Sequence, residues 1–198
     1  MLKWMKHPRQ QKGGLLATVS LSWGGAGDAP LRHRYDLGKA YIERELGLRV
    51  KEMPHSLAGS VTIAAYPEKL AQDLTEAFRD PEVKGIFSII GGDDSIRRLP
   101  SIDFPLIANN PKVFWVYSDA TFTHLFGPRA GFGSFYGPSV LAKFGEYGGM
   151  FPYTLNWLKK ALFSPEAMGD IPQSPLWTGE RLEWSEENVD KRKTMEPN

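Results

Sequence analysis

The sequence has 198 residues, a length that suits one domain with an extension, and 41% of them are apolar, which is enough for a hydrophobic core. Lys and Arg number 24 against 23 Asp and Glu, so the chain has no net field that would attract nucleic acid or an anionic membrane. No cysteine is present, which excludes disulfides, thiolate zinc sites and cysteine nucleophiles.

Residues 1–14 are predicted to be an N-terminal lead-in. They hold a locally basic stretch with Lys3, Lys6, Arg9 and Lys12, which is interrupted by Pro8. No apolar run of signal-peptide length occurs there, and no later stretch is apolar for long enough to span a bilayer. The sequence therefore predicts a cytoplasmic protein that binds neither membrane nor nucleic acid.

Strand and helix signals alternate after the lead-in. Short apolar runs rich in β-branched residues predict strands at residues 15–22, 48–53, 85–90 and 112–117. Apolar residues at helical spacing predict helices at residues 35–46 and 67–78, with a shorter helix that begins near residue 119. This alternation is typical of an α/β fold with a mostly parallel sheet flanked by helices.

The composition changes after Pro138, where glycine and proline interrupt the chain repeatedly. Residues 153–163 are predicted to form one amphipathic helix, and a charged stretch follows the proline-rich segment after it. We therefore expect an α/β domain over residues 15–163 and a linker over residues 164–198.

Three predicted loops follow predicted strands, at residues 23–30, 91–95 and 118–121. Because parallel α/β sheets bind ligands beyond the carboxyl ends of their strands, these loops are expected to lie together at the site.

Ser118 is the candidate nucleophile in these loops. It directly follows a predicted buried strand, where its hydroxyl would be exposed and the next amides could stabilise an oxyanion. The alternative is that Ser118 or Asp119 is a helix N-cap, a common use of both residue types. The glycines of a G-x-S-x-G turn are replaced by Val116 and Ala120.

Gly91 and Gly92 open a second candidate loop, which continues as Asp93-Asp94-Ser95. Glycines allow a close approach of the backbone to a ligand, and free amides there can bind an anion. The alternative is a tight turn between strand and helix. The glycine-rich residues 24–27 form a similar segment, which does not match a dinucleotide or Walker pattern, so no nucleotide cofactor is expected.

A serine nucleophile needs a base within hydrogen-bonding reach. The histidines are His7, His33, His55 and His124. His33 and His55 are predicted in loops or at helix starts, with no carboxylate at a spacing that would indicate a catalytic pair. His124 is predicted to point away from Ser118 as a structural residue. No spacing typical of a metal site occurs.

Two tryptophans, Trp177 and Trp184, stand in an otherwise polar stretch. Each is expected either to stack on a flat ligand or to pack against another part of the protein.

Taken in chain order, these loops resemble the LD-carboxypeptidase family of serine peptidases, and among its branches the microcin C immunity peptidases. The resemblance extends over residues 15–184. It is carried by the segments Ser22-Trp23-Gly24-Gly25, Arg34-Tyr35, Gly91-Gly92-Asp93-Asp94-Ser95-Ile96-Arg97, Leu99-Pro100, Ile102-Asp103, Asn110-Pro111-Lys112, Tyr117-Ser118-Asp119-Ala120-Thr121 and Ser134-Phe135-Tyr136-Gly137-Pro138.

The resemblance implies a flavodoxin-like N-terminal domain in which Ser118 is the nucleophile and the amides of Gly92 and Asp119 form the oxyanion hole. It implies substrate contacts at Gly91, Trp177 and Trp184, no cofactor, and a homodimer. A C-terminal half would supply the Glu and His of a triad, and no residue of this sequence matches either one. The family has glycine two positions before the serine, where this chain has Val116.

The implied activity is a serine carboxypeptidase or amide hydrolase that cleaves peptides or peptidyl-nucleotides through an acyl-enzyme on Ser118. One alternative is the trimming of murein tetrapeptides. Another is a truncated, non-catalytic fragment that binds a ligand or pairs with a separate C-terminal half.

Overall fold

A computed structural model describes residues 8–198, apart from the side chain of Phe126. Its centre is a five-stranded parallel sheet with the strand order β2-β1-β3-β4-β5. The strands are β1 (Leu15–Val19), β2 (Arg49–Glu52), β3 (Val83–Ser88), β4 (Val113–Val116) and β5 (Phe135–Tyr136). The predicted α/β fold with a parallel sheet is thus confirmed. The first seven residues of the predicted lead-in lie outside the described residues.

Seven α-helices are described in residues 8–198. They are α1 (Ala29–Tyr41), α2 (Ser60–Ala65), α3 (Pro67–Arg79), α4 (Phe104–Asn109), α5 (Thr121–His124), α6 (Phe126–Ala130) and α7 (Pro152–Phe163). None of the described helices is long and apolar enough to cross a membrane.

Short turns of other helix types connect these elements. The 3-10 turns are Gly25–Gly27, Ser95–Ser101, Ser118–Ala120 and Glu186–Asn188, and π-helical turns are formed by Ile42–Leu46 and Val140–Phe144. Toward the C-terminus, β6 (Leu176–Trp177) pairs with β7 (Glu196–Pro197) in antiparallel orientation.

The helix predicted at residues 35–46 begins earlier than expected, at Ala29. Pro30 lies in its first turn, where its missing amide costs nothing. The polar residues 32–34 concealed this start, because a buried Arg34 is not a signal of a core position. Gly47 ends the helical stretch with a φ of 63°, a conformation that favours glycine.

The two faces of the sheet bury two separate apolar clusters, because successive strand residues point to opposite sides. Phe87 and Trp115 lie in the cluster that includes residues of α1 and α7. Ile86 and Phe114 lie in the cluster that includes residues of α3. This double burial explains why the runs at β3 and β4 are apolar almost throughout.

Lys112, the residue before β4, is buried at the amino edge of the sheet with 6% of its surface exposed. Its ammonium group donates to the carbonyl of Val83 at 2.7 Å and to the carbonyl of Asp80. Burial lowers the pKa of Lys112 to about 8. A neutral amine still donates both hydrogen bonds, so deprotonation does not break the contact.

We expect the free energy of unfolding to rise between pH 8 and about pH 10.5, because the unfolded chain binds the Lys112 proton more tightly than the folded chain there. The gain should approach about 3 kcal/mol. Urea unfolding of the unmodified chain and Lys112→Met across this range measures it. The variant should lack the rise, and parallel pH profiles of the two proteins would contradict the prediction.

Candidate functional site

Three loops meet at the carboxyl edge of the sheet, as the strand order requires. They follow β1, β3 and β4, which are neighbours in the sheet. The amide of Trp23 in the first loop donates to the carbonyl of Gly91 in the second at 3.0 Å. These loops were the ones predicted from sequence to lie together.

Ser118 is exposed at this edge and has a φ of 54°. Among residues 8–198 it is the one non-glycine residue with a positive φ. This left-handed conformation costs roughly 1–2 kcal/mol for a residue with a side chain. Tyr117 is the N-cap residue of the 3-10 turn Ser118–Ala120, and Ala120 is the N-cap residue of α5, so neither Ser118 nor Asp119 is the helix N-cap of the alternative prediction.

The hydroxyl of Ser118 faces the backbone of Gly91. A Cβ atom added to Gly91 would lie 2.8 Å from the Ser118 hydroxyl oxygen and 3.1 Å from the Asp119 amide nitrogen. The hydroxyl and the amide therefore border one small space, which stays open because residue 91 is glycine. Val116, two residues before Ser118, is fully buried in the cluster that includes residues of α3.

Gly92 is required because the backbone at this position lies close to the loop that follows β1. A Cβ atom there would lie 2.2 Å from the hydroxyl oxygen of Ser22 and 2.7 Å from the amide nitrogen of Trp23. Side-chain carbons are not found at such distances, so any substitution would push the first loop away from the second.

The carboxylate of Asp119 holds all three loops together. It accepts a 2.5 Å hydrogen bond from the Ser22 hydroxyl and a 2.8 Å hydrogen bond from the Ser95 amide. Partial burial by itself raises the pKa of this carboxyl, but the hydrogen bonds from Ser22 and Ser95, together with the charge of Arg98, outweigh it, so the pKa of Asp119 lies below its ordinary value. The Ser95 hydroxyl in turn donates to the Asp119 carbonyl at 2.8 Å.

Buried Arg98 also connects two of these loops. Its guanidinium donates to the Ser22 carbonyl at 2.9 Å and to the Asp94 carboxylate at 2.5 Å. Arg98 therefore fixes the loop after β1 against the loop after β3. Neither Arg98 nor the side-chain role of Asp119 was predicted from the sequence, because a polar residue in a loop carries no signal of burial.

Tyr136 at the end of β5 was also not identified as a site residue. The Ser118 amide donates to its hydroxyl oxygen at 3.4 Å, and its ring stacks on Tyr117 with centroids 6.0 Å apart.

The described histidines bond to groups other than Ser118. His124 pairs with the Ser134 hydroxyl at 2.7 Å, and His33 lies 2.7 Å from the Tyr147 hydroxyl. His55 contacts Asp73 through its ring and its amide, both at 2.8 Å. Asp73 lies on α3, and this partner of His55 could not be found from spacing along the chain.

The two tryptophans line two cavities. Trp177 is half-exposed and borders a cavity of about 340 Å³. Trp184 borders a cavity of about 620 Å³ whose wall also includes Tyr117, the neighbour of Ser118. One face of Trp184 is covered by the guanidinium of Arg34, 4.8 Å from the ring centroid.

The sequence matches a family model described as the LD-carboxypeptidase N-terminal domain over residues 16–137. Among curated proteins, a Vibrio cholerae protein named as a carboxypeptidase is 29% identical over 80% of this chain and 48% of its own length. The Escherichia coli microcin C7 self-immunity protein, MccF, is 32% identical over 65% of this chain and 38% of its own length. The chain thus spans about half or less of the curated relatives that it matches.

Solved structures show the same fold. A Streptococcus pneumoniae MccF-like protein, determined in complex with AMP, is 33% identical and superposes with a TM-score of 0.85 over 94% of this chain and 55% of that one. A Bacillus anthracis MccF-like protein is 27% identical with a TM-score of 0.78, over 98% of this chain and 56% of that one.

We expect Ser118→Gly to be more stable than Ser118→Ala by about 0.5–1 kcal/mol. Glycine adopts the positive φ without steric cost, and this gain exceeds the entropy that glycine adds to the unfolded chain. Both variants lose the exposed hydroxyl, so their difference isolates the backbone strain. Urea unfolding measures it. Equal stabilities would show that Ser118 is not strained.

We expect Asp119→Asn to lower the free energy of unfolding at pH 7 by about 1–3 kcal/mol, since the hydrogen bonds from Ser22 and Ser95 lose their charged acceptor. A carboxylate whose pKa is lowered by folding stabilises above its unfolded pKa of about 4, and this stabilisation is lost as the pH falls further. The difference from the unmodified chain should therefore shrink below pH 4. Asp36→Asn, at an exposed ion pair with Arg32, is the matched control and should have little effect.

Proposed function

The chain belongs to the LD-carboxypeptidase family, and from this we propose that it is the nucleophile-bearing part of a serine peptidase in which Ser118 attacks the substrate. The observation that carries the proposal is the strained Ser118, whose exposed hydroxyl faces the gap at Gly91. Strain of this kind persists where the surrounding structure enforces it, and it is concentrated at functional sites.

The proposed reaction is acyl transfer. The Ser118 hydroxyl oxygen attacks the carbonyl carbon of an amide while a base removes its proton, and the carbonyl oxygen becomes an oxyanion. The amides of Gly92 and Asp119 are proposed to bind this oxyanion. The C–N bond then breaks, the leaving amine takes the proton, and water hydrolyses the acyl-enzyme to release a carboxylate and the free serine.

The base is proposed to be a histidine oriented by a glutamate, both from the C-terminal half that the family resemblance implies. Among residues 8–198, none of the three described histidines is hydrogen-bonded to Ser118. An isolated serine hydroxyl is a weak nucleophile at neutral pH, so residues 15–163 are proposed to supply the nucleophile and residues 164–198 to lead toward the half that activates it.

The proposed substrates are peptides or peptidyl-nucleotides with a free carboxylate. The 620 Å³ cavity beside Tyr117 is of a size that holds a small ligand, and Trp177 and Trp184 offer ring faces at the two cavities. The AMP complex of the Streptococcus pneumoniae relative favours the nucleotide-bearing class.

A second candidate is the trimming of murein peptides. It is supported by a Bacillus subtilis protein named for murein peptide carboxypeptidase activity, which is 36% identical over 57% of this chain. The presence of aromatic cavity walls favours the first candidate, because a murein peptide has no flat group to stack there.

A fluorophosphonate probe tests the proposal, since it captures an activated serine. We expect labelling of Ser118 in the chain combined with a C-terminal half from a family member, and its loss in Ser118→Ala. Ser134→Ala is the matched control, because that hydroxyl lies beside His124 and should not be the labelled group. If Ser118 stays unlabelled in the combined protein, the chain is a non-catalytic remnant.

A further inference from the structure

Tyr136 lies on the flank of Ser118 opposite the glycine loop. It ends β5, whose neighbour in the sheet is β4, and its backbone is paired with Val116, two residues before Ser118. The Gly91–Gly92 loop follows β3, on the other side of β4. The reacting carbonyl would therefore have the glycine amides on one side and the Tyr136 hydroxyl on the other.

The hydroxyl of Tyr136 is held in place from two directions. The ring stacks on Tyr117 at 28° between planes, and the hydroxyl oxygen accepts the Ser118 amide at 3.4 Å. This hydrogen bond is longer than is usual for an N–H donor and an oxygen acceptor, so it is weak. It involves only the hydroxyl oxygen and does not use the hydroxyl proton. Tyr136 is 59% exposed, so a ligand can reach the residue from solvent.

The proton of this hydroxyl remains available. A phenol that accepts one hydrogen bond can donate its own proton to a further group. Within residues 8–198, no acceptor for the Tyr136 proton is found. The hydroxyl is thus an oriented donor whose acceptor is not part of the described chain.

We infer that Tyr136 is a substrate-binding residue, whose hydroxyl donates a hydrogen bond to an oxygen of the bound substrate on the side opposite the oxyanion hole. This inference rests on the proposed function, since it takes Ser118 to be the reacting group. It assigns the residue a role in affinity and in orienting the acyl group, and no role in proton transfer.

Tyr136→Phe removes the hydroxyl and keeps the ring that stacks on Tyr117. The matched control is Tyr66→Phe, a half-exposed tyrosine at the end of α2 whose ring lies under Lys69. In the 198-residue chain, hydrogen exchange of the Ser118 amide should become faster in Tyr136→Phe and stay unchanged in Tyr66→Phe, because only the first variant removes the acceptor of that amide.

The binding role is measured on the chain combined with a C-terminal half, using two covalent probes of Ser118. One is a small alkyl fluorophosphonate without a recognition group. The other is a peptidyl diphenyl phosphonate with a free carboxylate. For the peptidyl probe, Tyr136→Phe should raise the inhibition constant about 3–10-fold and leave the maximal inactivation rate within twofold, as expected for one lost hydrogen bond. The loss with the small probe should be clearly smaller, because that probe lacks the peptidyl group that the hydroxyl is inferred to contact.

Three results would overturn the inference, and they point to different errors. Unchanged constants for both probes would show that the hydroxyl does not contact the substrate. An equal loss with both probes would show that Tyr136 merely supports the Ser118 backbone. If neither probe labels the unmodified combined protein, the proposed function fails and the inference fails with it, whereas the first two results leave the proposed function intact.

Discussion

The interaction on which the site depends is the set of hydrogen bonds to the Asp119 carboxylate. One side chain connects the loop that carries Ser118 to the loops after β1 and β3, through Ser22 and Ser95. These contacts also explain how a strained residue can persist in an exposed loop. The cost of the positive φ at Ser118 is roughly 1–2 kcal/mol, and a carboxylate that accepts two hydrogen bonds can offset a cost of this size.

Gly91 and Gly92 allow the same three loops to approach each other closely. Gly91 leaves room for the Ser118 hydroxyl, and Gly92 lets the Ser22 hydroxyl come close enough to reach Asp119. A larger residue at either position would separate the loops that the carboxylate joins. Close approach and hydrogen bonding are therefore two parts of one constraint, and neither gives the observed geometry without the other.

Much of the fold could be predicted from sequence because it depends on local patterns. The strands β3 and β4 were visible as apolar runs, and α3 had both its starting proline and its apolar face. The position of Ser118 followed from the end of β4. The roles of Asp119 and Arg98 could not be predicted, since their partners lie up to 97 residues away along the chain and meet only once the sheet has formed. Short elements such as α2 and β5 were missed because six or two residues show no periodicity.

Residues 164–198 show how a segment with little secondary structure can still be fixed against a domain. Trp184 stacks on buried Arg34, and the Tyr147 hydroxyl donates to the Ser185 carbonyl at 2.8 Å. Lys193 and Glu146 form an ion pair at 2.9 Å, with 13% and 4% of their side-chain surfaces exposed. These contacts hold the segment along the wall of the cavity that also includes Tyr117. The orientation of the Ser118 hydroxyl is thus set by local backbone geometry. The shape of the cavity beside Tyr117, by contrast, depends on this distant segment. In this arrangement, changes in residues 178–193 can alter the shape of this cavity while the backbone geometry of Ser118 stays the same.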